Sequence, residues 1–262
     1  MAELTFYPFN SCHFVLDRSV LTVTLGCGEF VKSTTTWGVI VHPDGVVVVD
    51  TGVHASAIGD APETWGTAED RIGVPLMRLG QEVPAQLARI GLSRTDVRYV
   101  VCSHLHGDHV GAHLELADAT FVCQQAELAY ARAPDIPSMV REYPLDQIAA
   151  DRLRYEPIEG DLDLFGDGTI MLLSTPGHTP GHQSVLVRLP QTGPVLLSGD
   201  ACWSHWNLDE MTLPGIIWFP SEYVKSRRRL LDLQEQERAR WFFTHDPNTF
   251  DELGWVEGKA YA

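Results

Sequence analysis

Apolar segments of strand length, interleaved with helically spaced ones, place this 262-residue chain in the α/β class. Two further observations give the class its shape. A β-rich then helical order occurs in both halves, as a duplicated two-layer unit would produce. Four of the apolar strands also hand a His or Asp to the loop just beyond them, so these polar side chains are delivered to one end of a sheet stack, where strand ends hold loops in a cleft. The length fits one large domain or two ordinary ones; we expect a single domain over residues 1–262.

Taken in order, Leu4–Tyr7 and Cys12–Leu25 alternate and carry many β-branched residues, which predicts two strands. Trp37–His42 is a third, and Pro43-Asp44-Gly45 turns the chain into Val46–Val49, a strand apolar on both faces. That hairpin delivers Asp50-Thr51-Gly52, where Asp50 is expected to support a neighbouring group rather than bind a ligand itself. Residues 59–80 lack a clear period and read as a long functional loop. Gln81–Ile90 has helical spacing, stopped by Gly91. The strand Tyr99–Cys102 comes next, then a helix over Val110–Leu116, a strand over Thr120–Cys123 and a helix over Gln124–Arg132. The prolines at 134, 137 and 144 mark residues 133–150 as an excursion over the cleft. Strands are predicted at Leu162–Phe165, Thr169–Ser174, Ser184–Leu189, Val195–Ser198 and Ala239–Thr244. Glu222–Gln236 is an amphipathic helix with Val224, Leu230, Leu231 and Leu233 inward and Arg227-Arg228-Arg229 on a solvated face.

The densest chemistry lies at Ser103-His104-Leu105-His106-Gly107-Asp108-His109, just past the Tyr99–Cys102 strand. Alternation puts His104, His106 and Asp108 on one side, with His109 opening the next segment. Neutral imidazole and carboxylate suit zinc, iron, cobalt or manganese. The later strand ends add His178, Asp200 and His245. One metal needs three or four ligands, so roughly six or seven side chains suit two ions sharing a carboxylate. The expected sorting gives His104, His106 and His178 to one ion, Asp108, His109 and His245 to the other, and Asp200 to both. His182 reads as a supporting residue, His42, His54, His113 and His205 as structural, and Cys202 as a buried apolar side chain.

Composition narrows the partners. A net charge of −16 argues against nucleic acid, which needs a basic footprint. Five scattered cysteines without a C-x-x-C pair fit a reducing, cytoplasmic setting rather than a disulfide framework. The N-terminal stretch lacks the basic start and apolar run of a signal peptide, and no apolar run approaches membrane-spanning length, so no membrane partner is expected.

The string His104-x-His106-x-Asp108-His109, the Gly177-His178 loop, Asp200 and His245 resemble the metallo-β-lactamase superfamily, and Asp50-Thr51-Gly52 matches its early motif. Nearly the whole chain is most similar to the N-acyl homoserine lactonases, the quorum-quenching branch, through Thr175-Pro176-Gly177-His178-x-Pro180-Gly181-His182-Gln183-Ser184, Leu213-Pro214-Gly215-Ile216 and Phe243-x-His245-Asp246. The resemblance implies an αββα sandwich, two mixed β-sheets flanked by helices with the metals at one edge. It implies two divalent ions, zinc first, and a lactone or related ester as the small-molecule substrate, with a homodimer expected by analogy. Its chemistry would be attack on the ring carbonyl by a hydroxide held between the ions, with Asp108 as both ligand and proton carrier. One position departs from the branch: Trp203 stands where a substrate-binding Tyr is usual, and an indole donates one hydrogen bond but cannot act as a phenol does. The alternatives are hydrolysis of another ester, thioester or phosphoester, or an iron-dependent redox reaction.

Overall fold

Valine-rich strands dominate the first half, and they assemble into a seven-stranded sheet ordered β4-β1-β2-β3-β5-β6-β7. The computed structural model describes residues 3–59, 73–136, 142–149, 151–209 and 211–262. The strands are β1 (Thr5–Asp17), β2 (Phe30–His42), β3 (Gly45–Val49), β4 (Pro75–Leu76), β5 (Val97–Val101), β6 (Thr120–Gln124) and β7 (Arg154–Ile158). β1, β2 and β3 pair antiparallel, while β3, β5, β6 and β7 run parallel. A second, five-stranded sheet has the order β12-β11-β10-β9-β8. It comprises β8 (Leu162–Asp163), β9 (Ile170–Ser174), β10 (Gln183–Leu189), β11 (Gly193–Leu197) and β12 (Arg240–Phe242), antiparallel except for the β11–β12 pair.

The period-two alternation of each strand decides the layers. Val47, Val49, Val101 and Val122 of the first sheet face Ile170, Leu172, Val185, Val187 and Leu197 of the second in one buried cluster. The opposite faces of the same strands, Val46, Val48, Val100 and Phe121, pack against Val83 and Leu87 of α1 (Val83–Arg89) and Ala131 of α2 (Gln125–Arg132). On the far side, Leu173, Leu186 and Leu196 pack against Leu230 of a later helix, Pro220–Glu237. The result is the expected αββα order, with helices outside two mixed sheets. Two short helices, α3 (Leu145–Ile148) and α4 (His205–Asp209), precede that long one, which is α5.

Several elements differ from their sequence expectation. The strand expected to run to Leu25 stops at Asp17, whose carboxylate accepts from Ser19 N–H at 2.9 Å and turns the chain into a short 3-10 segment, Arg18–Val20. The two N-terminal strands are one, with a register shift between Asn10 and Cys12. β2 begins seven residues before Trp37 because its polar run is buried by remote partners. Ser33 and Thr36 hydroxyls donate to His245 O and Phe243 O, and Thr34 donates to Thr244 O and Asp246 O. The helix expected over Val110–Leu116 is reduced to a 3-10 turn at His113–Leu116, since Gly111 and Ala112 spend their N–H groups on Gly52 O and Thr51 Oγ1. β7 is a further strand at the sheet edge, with Arg154 and Glu156 exposed and Tyr155 and Ile158 packed against the cores. In α5 the buried side chains are Tyr223, Ser226, Arg227 and Leu230, while Val224 is exposed. Arg227 is therefore not solvated: it donates to Asn207 O at 3.0 Å and to Thr212 O. Arg228 does face solvent, in an i,i+4 pair with Asp232. Residues 60–72 of the expected long loop, and 137–141 and 150 of the expected excursion, lie outside the described residues.

Candidate metal centre

Five strand ends meet at one edge of the sandwich. β3 ends at Asp50, β5 leads into Ser103–His109, β9 into the loop holding His178, β11 into Asp200 and β12 into His245. All seven residues singled out in the sequence converge there, and six are buried; Asp108 alone is partly exposed.

The tautomers are set by the partner of each ring's far nitrogen. Carbonyl and carboxylate oxygens only accept, so a ring nitrogen facing one carries its proton. His178 Nδ1 lies 2.9 Å from Ile216 O, His245 Nδ1 3.0 Å from Thr34 O, and His109 Nδ1 2.9 Å from Asp50 Oδ2. His104 Nδ1 is 3.0 Å from Ser103 Oγ, whose own proton goes to Asp50 Oδ2 at 2.8 Å. Each of these four rings thus turns an Nε2 lone pair toward the centre. His106 is reversed and points Nδ1 inward, 3.1 Å from His178 Nε2, which is itself 3.2 Å from His104 Nε2.

Three nitrogen lone pairs this close repel one another unless they share a cation. Ligands about 2.0–2.1 Å from a tetrahedral zinc stand roughly 3.3 Å apart, close to the spacing observed. His104, His106 and His178 therefore form one group that could hold a metal, and Asp108, His109 and His245 form another. Asp200 stands between them. Its Oδ2 is 3.2 Å from His178 Nε2 and 3.4 Å from His245 Nε2, and its Oδ1 is 3.5 Å from His109 Nε2. His109 Nε2 and Asp200 Oδ1 are buried with no hydrogen-bond partner among the described residues, as atoms reserved for a cation would be.

Electrostatics separate the two groups. Burial, followed by the neighbouring rings, holds His104 well below the usual imidazole range, and His106 is likewise lowered by burial and His178. Burial also lowers His178. These rings are neutral and ready to ligate at neutral pH. Burial opposes a proton on His109 too, but Asp108, Asp200 and Asp50 outweigh it and raise that ring to about 10. Burial disfavours the Asp200 anion, yet His245, His109 and His178 outweigh it and hold its carboxyl well below the ordinary range. Excess negative charge thus surrounds the second group, where a cation would replace the proton.

The supporting residues take the places expected of them. Asp50 also accepts from Ser103 N–H at 2.7 Å, so it braces the start of the ligand loop as well as His109. His182 donates from Nδ1 toward Thr175 Oγ1 at 2.8 Å and accepts Asp200 N–H at Nε2, also at 2.8 Å; burial lowers it to about 3. Burial pushes the Cys202 thiol up to about 12, which makes it a poor ligand. His42 pairs with Asp167, His54 with Ser56 and His205 with Asp246. His113 packs on Phe121. Local sequence pattern did not reveal Thr34, the Ile216 carbonyl or Glu127, whose relation to the site depends on contacts made across the fold.

Above the seven residues lies a cleft of about 530 Å³ including its open mouth, walled by Phe14, Leu16, Val20, Trp203 and Ile216. The Trp203 ring lies 4.8 Å from that of His245 and 5.8 Å from that of His178, and its indole N–H is buried without a partner among the described residues. A two-sheet sandwich with a His/Asp cage at its edge and an apolar cleft above it defines a metal-dependent hydrolase class.

Comparison with known proteins agrees. The family model of the metallo-β-lactamase superfamily matches residues 32–248. N-acyl homoserine lactonase AttM of Azorhizobium caulinodans is 34% identical over 256 residues, covering 95% of this chain and 96% of that relative. The N-acyl homoserine lactonase of Bacillus cereus is 32% identical, covering 93% of each chain. A solved N-acyl homoserine lactone hydrolase, with the product N-hexanoyl-L-homoserine at its catalytic metal centre, superposes with a TM-score of 0.82 at 29% identity over 94% of both chains. The chain belongs to the metallo-β-lactamase superfamily, in its N-acyl homoserine lactonase branch.

Proposed function

We propose that this protein is a lactonase that opens the ester ring of an N-acyl homoserine lactone, using two divalent metal ions, zinc first. The reading rests on one observation above all: two three-residue groups joined by Asp200 lie at the floor of an apolar-walled cleft. Relatives of this length and identity that carry the lactonase name support the substrate class. A thioester of glutathione type is disfavoured, because no Lys or Arg occurs among the described residues lining the cleft.

His104, His106 and His178 would hold one ion, Asp108, His109 and His245 the other, and Asp200 both. Bound there, the ions supply Lewis acidity, which lowers the pKa of water and polarises the ester carbonyl. The protein's own residues do the rest. Phe14, Leu16, Val20 and Ile216 exclude water from the acyl chain. Trp203 lines the cleft, and its Nε1–H, which has no partner among the described residues, would suit a carbonyl or amide oxygen of the substrate. Asp108 is the most accessible of the seven, with Oδ2 3.5 Å from His245 Nε2, and it carries the proton to the leaving alkoxide. The five cysteines are all free, which supports a reducing, cytoplasmic setting. Among the described residues no helix is long and apolar enough to cross a membrane. One domain over 1–262 and a homodimer belong to the same reading, the latter checked by sedimentation.

A pH-stat screen of lactones, linear esters, thioesters and phosphodiesters tests it. Acyl homoserine lactones should turn over best; no turnover of any lactone would overturn the proposal. Assayed at metal saturation, with ions counted per chain, Asp108→Asn should lower kcat by about 100-fold or more. Near-full hydrolysis by that variant would remove the proton-carrier role.

A further inference from the structure

Glu127 lies in the first turn of α2, outside every sequence motif of the metal centre, and its side chain is fully buried. An ionised carboxylate in such a place is costly unless its oxygens are satisfied. Four donors satisfy it. Oε1 accepts from Leu105 N–H at 3.0 Å and Tyr143 Oη at 3.1 Å; Oε2 accepts from Thr179 Oγ1 at 2.6 Å and Gly181 N–H at 3.1 Å. Burial raises its pKa, and the four bonds oppose that rise.

The donors are not scattered. Leu105 lies between His104 and His106. Thr179 comes directly after His178, and Gly181 belongs to the same loop. The Tyr143 ring stands edge-on to His106, with centroids 4.9 Å apart. Every one of these four contacts therefore flanks an imidazole of one metal group, and none flanks Asp108, His109 or His245. The approach is close: a Cβ on Gly181 would fall 2.1 Å from Glu127 N, so this glycine lets the loop backbone rest on the helix start.

We propose that Glu127 is a positioning residue that clamps the two loops carrying His104, His106 and His178 into one metal-binding group. The proposal rests on the two-metal reading of the site. A carboxamide at this position has one acceptor oxygen, and its NH2 would face two donors. Glu127→Gln must therefore release one loop or the other. Residues that orient metal ligands are typically worth about 10- to 100-fold in metal affinity.

The test is a zinc titration against a competing chelator, with ions counted per chain and folding followed by circular dichroism. The wild type should bind two ions. Glu127→Gln should keep its fold and one ion, and bind the other about 10- to 100-fold more weakly. Adding His178→Ala to Glu127→Gln should cost no more affinity than His178→Ala alone, whereas adding His245→Ala should impair both ions. Should Glu127→Gln fail to fold, Thr179→Val and Tyr143→Phe each remove one donor and should weaken the same ion to a smaller degree. Two ions in the wild type, with unchanged constants in these variants or equal weakening of both ions, would overturn the clamp. Fewer than two ions in the wild type would instead overturn the two-metal reading.

Discussion

Replacing Asp50 by Asn removes a charge and almost nothing else. Asp50 leaves β3 with φ 59°, a left-handed conformation that Asn adopts as readily, so the backbone is unaffected. Its carboxylate accepts from Ser103 N–H at 2.7 Å, Ser103 Oγ at 2.8 Å and His109 Nδ1 at 2.9 Å. A carboxamide offers one acceptor. With that oxygen kept on the Ser103 amide, the new NH2 faces His109 Nδ1 and drives the ring proton to Nε2, the nitrogen that faces Asp108 and Asp200. The carboxamide forfeits both bonds accepted at Oδ2, from His109 Nδ1 and from Ser103 Oγ; the charge-assisted bond to His109 alone is worth about 1.5–3 kcal/mol, in agreement with about 10- to 100-fold for residues that orient ligands. The ion held by His109 should weaken by at least that factor, and more than the ion held by His104, which Asp50 reaches only through Ser103 Oγ. Chelator competition with ions counted per chain reads this directly. Asp50→Asn binding both ions with wild-type constants would refute the tautomer argument.

Three further outcomes are expected from the same geometry. Gly177 has φ 138°, and a Cβ there would lie 2.2 Å from Tyr223 N; Gly177→Ala should destabilise by about 1–3 kcal/mol in thermal unfolding and displace His178. Arg227→Met should cost about 1–3 kcal/mol in urea unfolding, because the buried Asn207 carbonyl and the half-buried Thr212 carbonyl lose this donor. Burial lowers His113 to about 3 against 6.5 unfolded, so between those values the unfolded chain holds a proton that the folded chain refuses. Stability contributed at this position is intact above pH 6.5 and falls as pH drops toward 3, by up to about 1.4 kcal/mol per pH unit. His113→Phe should flatten the slope of urea-unfolding free energy across that window relative to wild type.

Much of this was legible locally. Strand alternation, the Pro43-Asp44-Gly45 turn and the placement of His104, His178, Asp200 and His245 just past apolar strands depend on neighbours in the chain, and each appears in the structure within a few residues of its expected place. Two of the misses share one cause. β2 extends back through Ser33-Thr34-Thr35-Thr36, a polar run without an apolar signal, because its hydroxyls meet carbonyls of residues 243–246; the Ser33–His245 bond spans 212 positions. Arg227 belongs to a charged triplet whose pattern says solvent, yet Asn207 O and Thr212 O draw it inside.

The sequence by itself determined the donor chemistry: which side chains can ligate, how many there are and that strand ends present them. Residue type and local period carry that information. Only the tertiary structure decided which ring nitrogen each imidazole turns inward, and that Glu127 reaches the loops of His104, His106 and His178 while Asp50 reaches Ser103 and His109. Those depend on distances of about 3 Å between atoms far apart in sequence, and such distances are set by how two sheets pack rather than by any local pattern.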